Sequence, residues 1–219
     1  TANYIKDLGE DHHFNWLIGS EYQYNRIIRW DGYYDSEATG QIRETGQWVN
    51  DPRSYMEEYA FASAFTRLNY NHKGKYYAEA LIRRDGSSKF GPNNKYGNFP
   101  AASVGWIISE EDFMANLPHV NYLKLKTSVG KNGNSAIPSY QWFGYYNVAN
   151  NGYAGQTYRY PVIRENANLR WETSTTYDVG LEYGFFQDRI SGELAWYRKE
   201  TNDMLLNVTL QGSTGFGSW

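Results

Sequence analysis

The feature that most constrains this chain is a two-residue alternation of apolar and polar side chains that recurs in seven segments. In "FNWLIGSEYQ", Phe14, Trp16, Ile18 and Tyr22 share one face, and Asn15, Gly19, Glu21 and Gln23 share the other, with Leu17 as a misfit. "AFASAFTRLNY" is less regular, and its end sets Thr66, Leu68 and Tyr70 against Arg67 and Asn69. Further on, Tyr76, Ala78, Ala80 and Ile82 oppose Glu79, Arg83 and Asp85. Ala102, Val104, Trp106 and Ile108 oppose Ser103 and Gly105, and Leu123, Leu125 and Val129 oppose Lys124, Lys126 and Ser128. Tyr177, Val179, Leu181, Tyr183 and Phe185 oppose Thr176, Asp178, Gly180 and Glu182. Last, Ile190, Leu194 and Trp196 oppose Ser191, Glu193 and Lys199. Side chains of a strand point alternately to its two faces, so each segment reads as a strand with one apolar and one polar side.

Hydropathy narrows the class further. No apolar run approaches the ~18 residues of a transmembrane helix, and mean hydropathy is −0.73. A helical membrane protein is excluded; a β-barrel, whose strands are only half apolar, is not. Alternation also suits a sheet packed on a soluble core, so the connections must choose. Roughly Asn25 to Glu57 and Asn132 to Trp171 are long and aromatic, and "RRDGSSKFGPNNKYGN" is a polar tip. Between them fall "HKGK", "SEEDFMANLPHVN" and "QDR", all short or compact. In an up-and-down meander alternate connections lie at one end, which gives tight turns at one end and long loops at the other, the asymmetry of outer-membrane barrels. "SEED" reads as a capping box, with Ser109 as cap and Asp112 reaching back, and predicts a helix of about two turns ending before Pro118. Glu110 and Glu111 suit its positive end.

Tyr supplies 21 of the aromatic residues, with 8 Trp and 10 Phe. Phe14, Trp16, Tyr70, Tyr76, Tyr77, Trp106, Tyr122, Tyr183, Phe185 and Phe186 gather at the short-turn ends of their strands, where a barrel places an interfacial girdle. Ordinary hairpin-end or core packing is the lesser alternative for the same rings.

At this point longer stretches become recognisable. "RLNYNHKGKYYAEALIRRDGSSKFGPNNKYGNFPAASVGWIISEEDFM", "LKLKTSVGKNGN", "NANLRWETSTTYDVGLEYGFFQDRISGELAWYRKETNDMLL" and "GSTGFG" resemble the barrel of SusC/RagA-type TonB-dependent outer-membrane transporters. The resemblance runs from Glu58 to Phe216 except for Ala136–Glu165. It implies an all-β fold, an antiparallel up-and-down transmembrane β-barrel of about 22 strands, of which this chain is an incomplete segment of about seven. Residues 1–219 are then part of a TonB-dependent receptor β-barrel domain. The resemblance also implies a plug, energy from the TonB complex through parts this chain does not show, a SusD-like surface lipoprotein as lid, and an oligosaccharide or peptide cargo. It places the protein in the outer membrane of a Gram-negative bacterium, in contact with lipid. The start at Thr1 and the glycine-rich "GSTGFGSW" read as the bounds of a piece of a longer or processed protein.

Other motifs carry less. Net charge is −3, which gives no basic field for nucleic acid. Cysteine is absent, so no disulfide or thiolate metal site is expected. Asp85, Ser87 and Asn93 offer oxygens to a cation but lack EF-hand spacing, and a structured loop beginning at Asp85-Gly86 is the reading adopted. Adjacent His12 and His13 cannot converge on one metal from a strand. Asp178 and Glu182 share a face but sit about 13 Å apart along a strand, too far for a glycosidase pair. No metalloprotease, nucleophile-elbow or P-loop motif is present. No catalytic residue, metal or cofactor is expected, and the chain is read as no enzyme.

The long connections hold the substrate-binding candidates: Trp30, Tyr33, Tyr34 and Trp48 in the first, and Trp142, Phe143, Tyr145, Tyr146, Tyr153, Tyr158 and Tyr160 in the later one. Flat rings stack on the apolar faces of sugars; the same rings also pack loops against themselves or a lid. A soluble β-sandwich that binds carbohydrate is the alternative to the transporter, and it fits the alternating connections poorly.

Overall fold

The structure, a computed structural model, describes residues 1–33, 50–149, 156–206, 211 and 213. Among the described residues, ten strands and two short 3-10 turns follow in chain order. The strands are β1 (Ala2–Leu8), β2 (His12–Tyr33), β3 (Asn50–His72), β4 (Tyr76–Ser87), β5 (Tyr96–Ile107), β6 (Val120–Asn134), β7 (Tyr145–Ala149), β8 (Tyr158–Ile163), β9 (Glu172–Phe185) and β10 (Ile190–Asn202). Eight form one sheet in the order β1-β2-β3-β4-β5-β6-β9-β10, and β7 and β8 pair separately. Every neighbouring pair is antiparallel. The sheet therefore meanders, with β7–β8 inserted between two of its neighbours. It does not close on itself.

All seven predicted strands are present, and the main sheet holds one more. The extra strand, β1, reads Ala-Asn-Tyr-Ile-Lys-Asp-Leu. Tyr4 and Leu8 fall on one side and Ile5 on the other, so no single apolar face declares it. The largest difference lies in the segment Asn25 to Glu57, expected as a long loop. Most of it is strand: β2 runs on to Tyr33 and β3 begins at Asn50, in continuous register from His12↔His72 to Asp31↔Arg53. At about 3.3 Å per residue, 22 residues of β2 reach roughly 70 Å, whereas a membrane crossing needs about 9–11 residues. In the upper part the alternation is lost, as "YNRIIRW" shows.

Register decides which residues share a face. Tyr4, Trp16, Leu68, Ala80, Ala102, Val129, Tyr177 and Arg198 lie opposite one another in turn across all eight strands. The row behind them reads Ile5, Asn15, Asn69, Glu79, Ser103, Ser128, Asp178 and Tyr197. Between the two outermost strands one face is thus apolar, with small residues between large ones, and the other polar; the outer strands depart from this at Arg198, Ile5 and Tyr197. The apolar face is uncovered: Trp16 is 48% exposed, Trp196 59% and Leu194 65%. A sandwich would lay a second sheet on it at about 10 Å. The separate two-stranded sheet β7–β8 does not do so, and the carbohydrate-binding sandwich is set aside. Among the described residues the buried apolar side chains are Phe90, Phe99 and Trp171. They belong to the polar side and its loops.

The short connections close tightly. In the β3–β4 turn Lys73 and Gly74 both have positive φ, 55° and 67°, and the Lys75 N–H donates to the His72 carbonyl. Two positive φ values at the centre match a primed turn, whose twist suits a hairpin. The β9–β10 turn holds Phe186, Gln187 and Asp188 at φ 55–60°. Its neighbour supports it: the Phe186 N–H donates to the His119 carbonyl and the Gln187 N–H to Asn121 Oδ1.

The predicted capped helix after β5 is not formed. Ile108–Glu110 and Asp112–Met114 are single 3-10 turns, split by Glu111 in an extended conformation, and neither has a side-chain cap. Ser109 lies inside the first turn with Oγ buried and without a partner. The reason is visible at Glu111. Its carboxylate accepts from Tyr76 Oη and from Trp106 Nε1 at 2.9 Å, and this pins the backbone extended where a helix would begin.

The rim aromatics form a row at these turns. Ring centroids are 4.5 Å apart for His12–His72, 5.9 Å for His72–Tyr76 and 6.4 Å for Tyr76–Trp106. Phe14–Tyr70 and Tyr183–Phe185 pack at 4.8 and 5.4 Å. Two residues of the expected girdle differ. Tyr77 and Tyr122 lie on the polar face, where Lys124 sits over the Tyr77 ring and Tyr122 faces Glu182.

Candidate functional site

The polar face is a wall of compensated charge. Glu182 and Glu193 stand directly opposite across β9 and β10, an arrangement that repels on its own. Lys126 of β6 reaches between them, with Nζ at 2.8 Å from Glu182 and 2.7 Å from Glu193. Gly180 makes this reach possible, because a Cβ there would come within 2.6 Å of Lys126 Cε. Higher on the wall Arg83 donates to Asp85 at 2.6 Å and Ser63 at 2.9 Å, and lies over the Phe65 ring. These pairs are partly open to water, so each adds little stability. Their effect is to fix where each charge stands. Lys126, placed between Glu182 and Glu193, leaves neither as a free carboxylate partner for Asp178.

The long-loop end is built differently. β4 continues through Asp85 and Gly86, which pair with Gly97 and Tyr96, so the loop begins at Ser88 rather than at Asp85-Gly86. Phe90 of this loop is fully buried against Trp171, with ring centroids 4.7 Å apart, and Phe99 meets Trp171 edge-on at 5.4 Å. Phe61, Ile137, Leu169 and Leu205 pack around them. The backbone is stitched as well. The Gly91 N–H donates to the Leu169 carbonyl, Asn94 Nδ2 to the Asn168 carbonyl and Trp171 Nε1 to the Lys95 carbonyl. The fit leaves no room at Gly91, where a Cβ would sit 2.1 Å from the Ala167 carbonyl oxygen. The oxygens that could serve a cation are taken by separate partners: Asp85 by Arg83, Ser87 Oγ by the Lys89 N–H, while Asn93 donates to Asn168.

Beyond this clasp the connection after β6 reaches across the top of β4 and β5 to β3. Ser139 Oγ donates to Glu57 at 2.7 Å, and Tyr140 Oη accepts from the Glu58 N–H at 3.1 Å. The chain then forms the β7–β8 hairpin, whose base is closed by the Asn166 N–H on the Trp142 carbonyl. Tyr146, Tyr158 and Tyr160 are exposed on this hairpin, and Tyr158 and Tyr160 lie 5.8 Å apart.

An open meander with one bare apolar face, short turns at one end and clasped loops at the other is the geometry of a barrel wall. The family model described as "TonB dependent receptor-like, beta-barrel" matches residues 1–218. The chain belongs to that family. It is 38% identical to TonB-dependent receptor P26 of Formosa agariphila, over all of this chain and 23% of that protein. It is 33% identical to TonB-dependent receptor SusC of Bacteroides thetaiotaomicron, over 99% of this chain and 22% of that protein. Among solved structures, the RagAB peptide transporter superposes with a TM-score of 0.83 at 29% identity, over 99% of this chain and 24% of that one. The RagAB peptide importer in its 'open-open' state gives 0.80 at 30% identity. The chain thus spans about a quarter of the length of these relatives. The match extends N-terminal of Glu58, where the recognisable motifs begin, and includes β1 and β2.

Seen as a TonB-dependent receptor barrel segment, the chain sorts the sequence-derived binding candidates into three groups. Trp142, Tyr145 and Tyr146 come together at the base and first strand of the β7–β8 hairpin. Trp30 and Tyr33 belong to strand β2, not to a loop, and pair with Ser54 and Asn50. Tyr34, Trp48 and Tyr153 lie outside the described residues. The sequence reading missed Tyr59, Phe61, Lys89, Phe90, Phe99 and Trp171, which make the clasp; Lys89 Nζ sits over the Tyr59 ring. A signal was present. Phe61, Phe65 and Phe99 fall at polar-face positions of their strands, and an apolar ring there needs something to pack on.

Proposed function

We propose that this segment is part of the wall of an outer-membrane importer. Work comes from the TonB complex through the rest of the polypeptide, a SusD-like lipoprotein covers the surface opening, and oligosaccharides or peptides are the cargo. The observation that carries the reading is the uncovered apolar face behind a polar, charge-compensated one. A lipid-facing exterior and a wet interior both have to be satisfied by the same strands. The names of the relatives add support: one is the receptor SusC, and a solved neighbour is a peptide transporter.

No bond-making is asked of this wall. Its part is to hold loops around a passage and to present contacts that a polar solute can exchange. Exposed Tyr146, Tyr158 and Tyr160 offer rings for stacking and hydroxyls for hydrogen bonds, and Trp142 and Tyr145 stand at the root of the same hairpin. Peptide and sugar both fit this chemistry, and the oligosaccharide is the first choice because rings dominate over charge there. Replacing residues 145–163 of the intact protein by a short glycine-serine turn leaves the clasp in place. Uptake of the native cargo is expected to fall while barrel insertion is unchanged; normal uptake would remove the hairpin from the reading.

A further inference from the structure

The connection between β5 and β6 is long for the turn end, and its position sets it apart from the other turns. Tyr76 and Trp106 are on the apolar face, stacked nearly parallel in the rim row. Both point their polar atoms at one acceptor, Glu111 Oε1. A Tyr or Trp in an aromatic belt keeps its ring in the apolar region and its polar tip at headgroup level. Glu111 is therefore held at the apolar-face side of the rim, by the polar atoms of two rings of that face.

The segment is prepared for such a place. Its backbone bonds to itself in steps of three: the N–H groups of Glu111, Met114, Leu117 and Val120 donate to the carbonyls of Ile108, Glu111, Met114 and Leu117. Internal satisfaction of this kind lowers the cost of leaving water. It also displays apolar side chains with nothing over them. Phe113 is 62% exposed and Leu117 48%. Beside them stand the exposed carboxylates Glu110 and Asp112.

We infer that residues 108–120 form a membrane-contact foot, in which Phe113 and Leu117 enter the headgroup region of the phospholipid leaflet at the turn end. Glu110 and Asp112 select for ammonium-bearing, zwitterionic headgroups over anionic ones. The inference rests on the barrel reading above, because the apolar band must face lipid for the foot to continue it.

The test uses single cysteines in the intact protein, with any thiols elsewhere replaced, reconstituted in ethanolamine-lipid bilayers. This segment has no cysteine of its own. An environment-sensitive fluorophore is placed at Phe113→Cys, Leu117→Cys, Val104→Cys on the apolar face and Lys73→Cys in the β3–β4 turn. Labels at 113, 117 and 104 are expected to shift to shorter wavelength and to resist aqueous iodide, and the label at 73 to stay quenchable. A lipid-exposed 104 with a quenchable 113 or 117 overturns the foot alone. A quenchable 104 overturns the barrel reading itself. A shift at 73 as large as at 113 also overturns the foot, because the signal then belongs to the whole rim. Adding Glu111→Ala to Phe113→Cys is expected to return that label towards water, and an unchanged label removes Glu111 as the tether. Moving to phosphatidylglycerol-rich bilayers is expected to reduce the shift at 113; an increase refutes the headgroup preference.

Discussion

The two ends of this sheet are held by different means. At the turn end, backbone hydrogen bonds close the hairpins and a single row of rings runs across four strands from His12 to Trp106. At the loop end, the buried trio Phe90, Phe99 and Trp171 locks two sequence-distant segments together. One end depends on short-range contacts within each turn and between adjacent turns, as the Phe186–His119 bond shows. The other depends on one packed cluster built from residues more than 70 positions apart, as the Trp171–Lys95 bond shows. Damage at the turn end should stay confined to neighbouring turns, and damage to the clasp should free the whole loop end.

The largest effect should come from emptying the clasp. Phe90→Ala or Trp171→Ala removes a large buried ring, a change that costs about 3–5 kcal/mol. Hydrogen exchange is expected to speed up through residues 88–95 and 164–171 and to leave β4–β6 protected. Loss of protection in the strands as well would show the two ends to be one cooperative unit. Next comes Lys126→Met, which leaves Glu182 and Glu193 facing each other. Thermal stability should fall and should recover when Glu193→Gln is added; failure to recover would mean that the lysine packs rather than compensates.

A smaller effect is expected at Glu111. The Tyr76 hydroxyl, and after it the Trp106 indole, hold its carboxyl below the usual carboxylate range. A folded-state value lower than the unfolded one stabilises at pH above the unfolded value, about 4.3 for Glu, and the gain disappears as pH falls through the folded value. The advantage of the wild type over Glu111→Gln should therefore shrink as acid is added across that window. A constant gap in melting temperature would contradict the assignment. Smallest of all is Lys73→Gly. It relieves a non-glycine residue at φ 55° and adds chain entropy to the unfolded state, two terms of about 1 kcal/mol each that nearly cancel. A loss of stability well beyond that would show that Lys73 acts through its contact with Asp11.

How much of this was readable follows from which constraint acts where. Inside the lipid band each strand must satisfy two media, and the period of two appears, as in Tyr177–Phe185 opposite Trp196 and Leu194. In the upper parts of β2 and β3 the alternation breaks down, as in "YNRIIRW", and that stretch reads as loop. β1 hid for a related reason, with Ile5 on the face opposite Tyr4 and Leu8. The capping box failed because its Glu111 was claimed by side chains of two strands, a tertiary demand that four adjacent letters do not carry. The candidate site was legible only as composition. Rings in the later connection were visible, but their division between clasp and hairpin depends on pairing that joins Gly91 to Leu169.

Consider finally where β7 and β8 are spliced in. β6 and β9 pair from Val120↔Phe185 to Asn134↔Glu172 beneath the inserted hairpin, with one register shift between Val120 and Tyr122. The entropy of closing a loop grows slowly, by only about 0.6 kcal/mol for each doubling of length. An insertion at this junction is thermodynamically cheap while the seam beneath it stays in register. Such a seam allows a lineage to exchange one inserted hairpin for another, longer or shorter, without renegotiating the sheet that carries it.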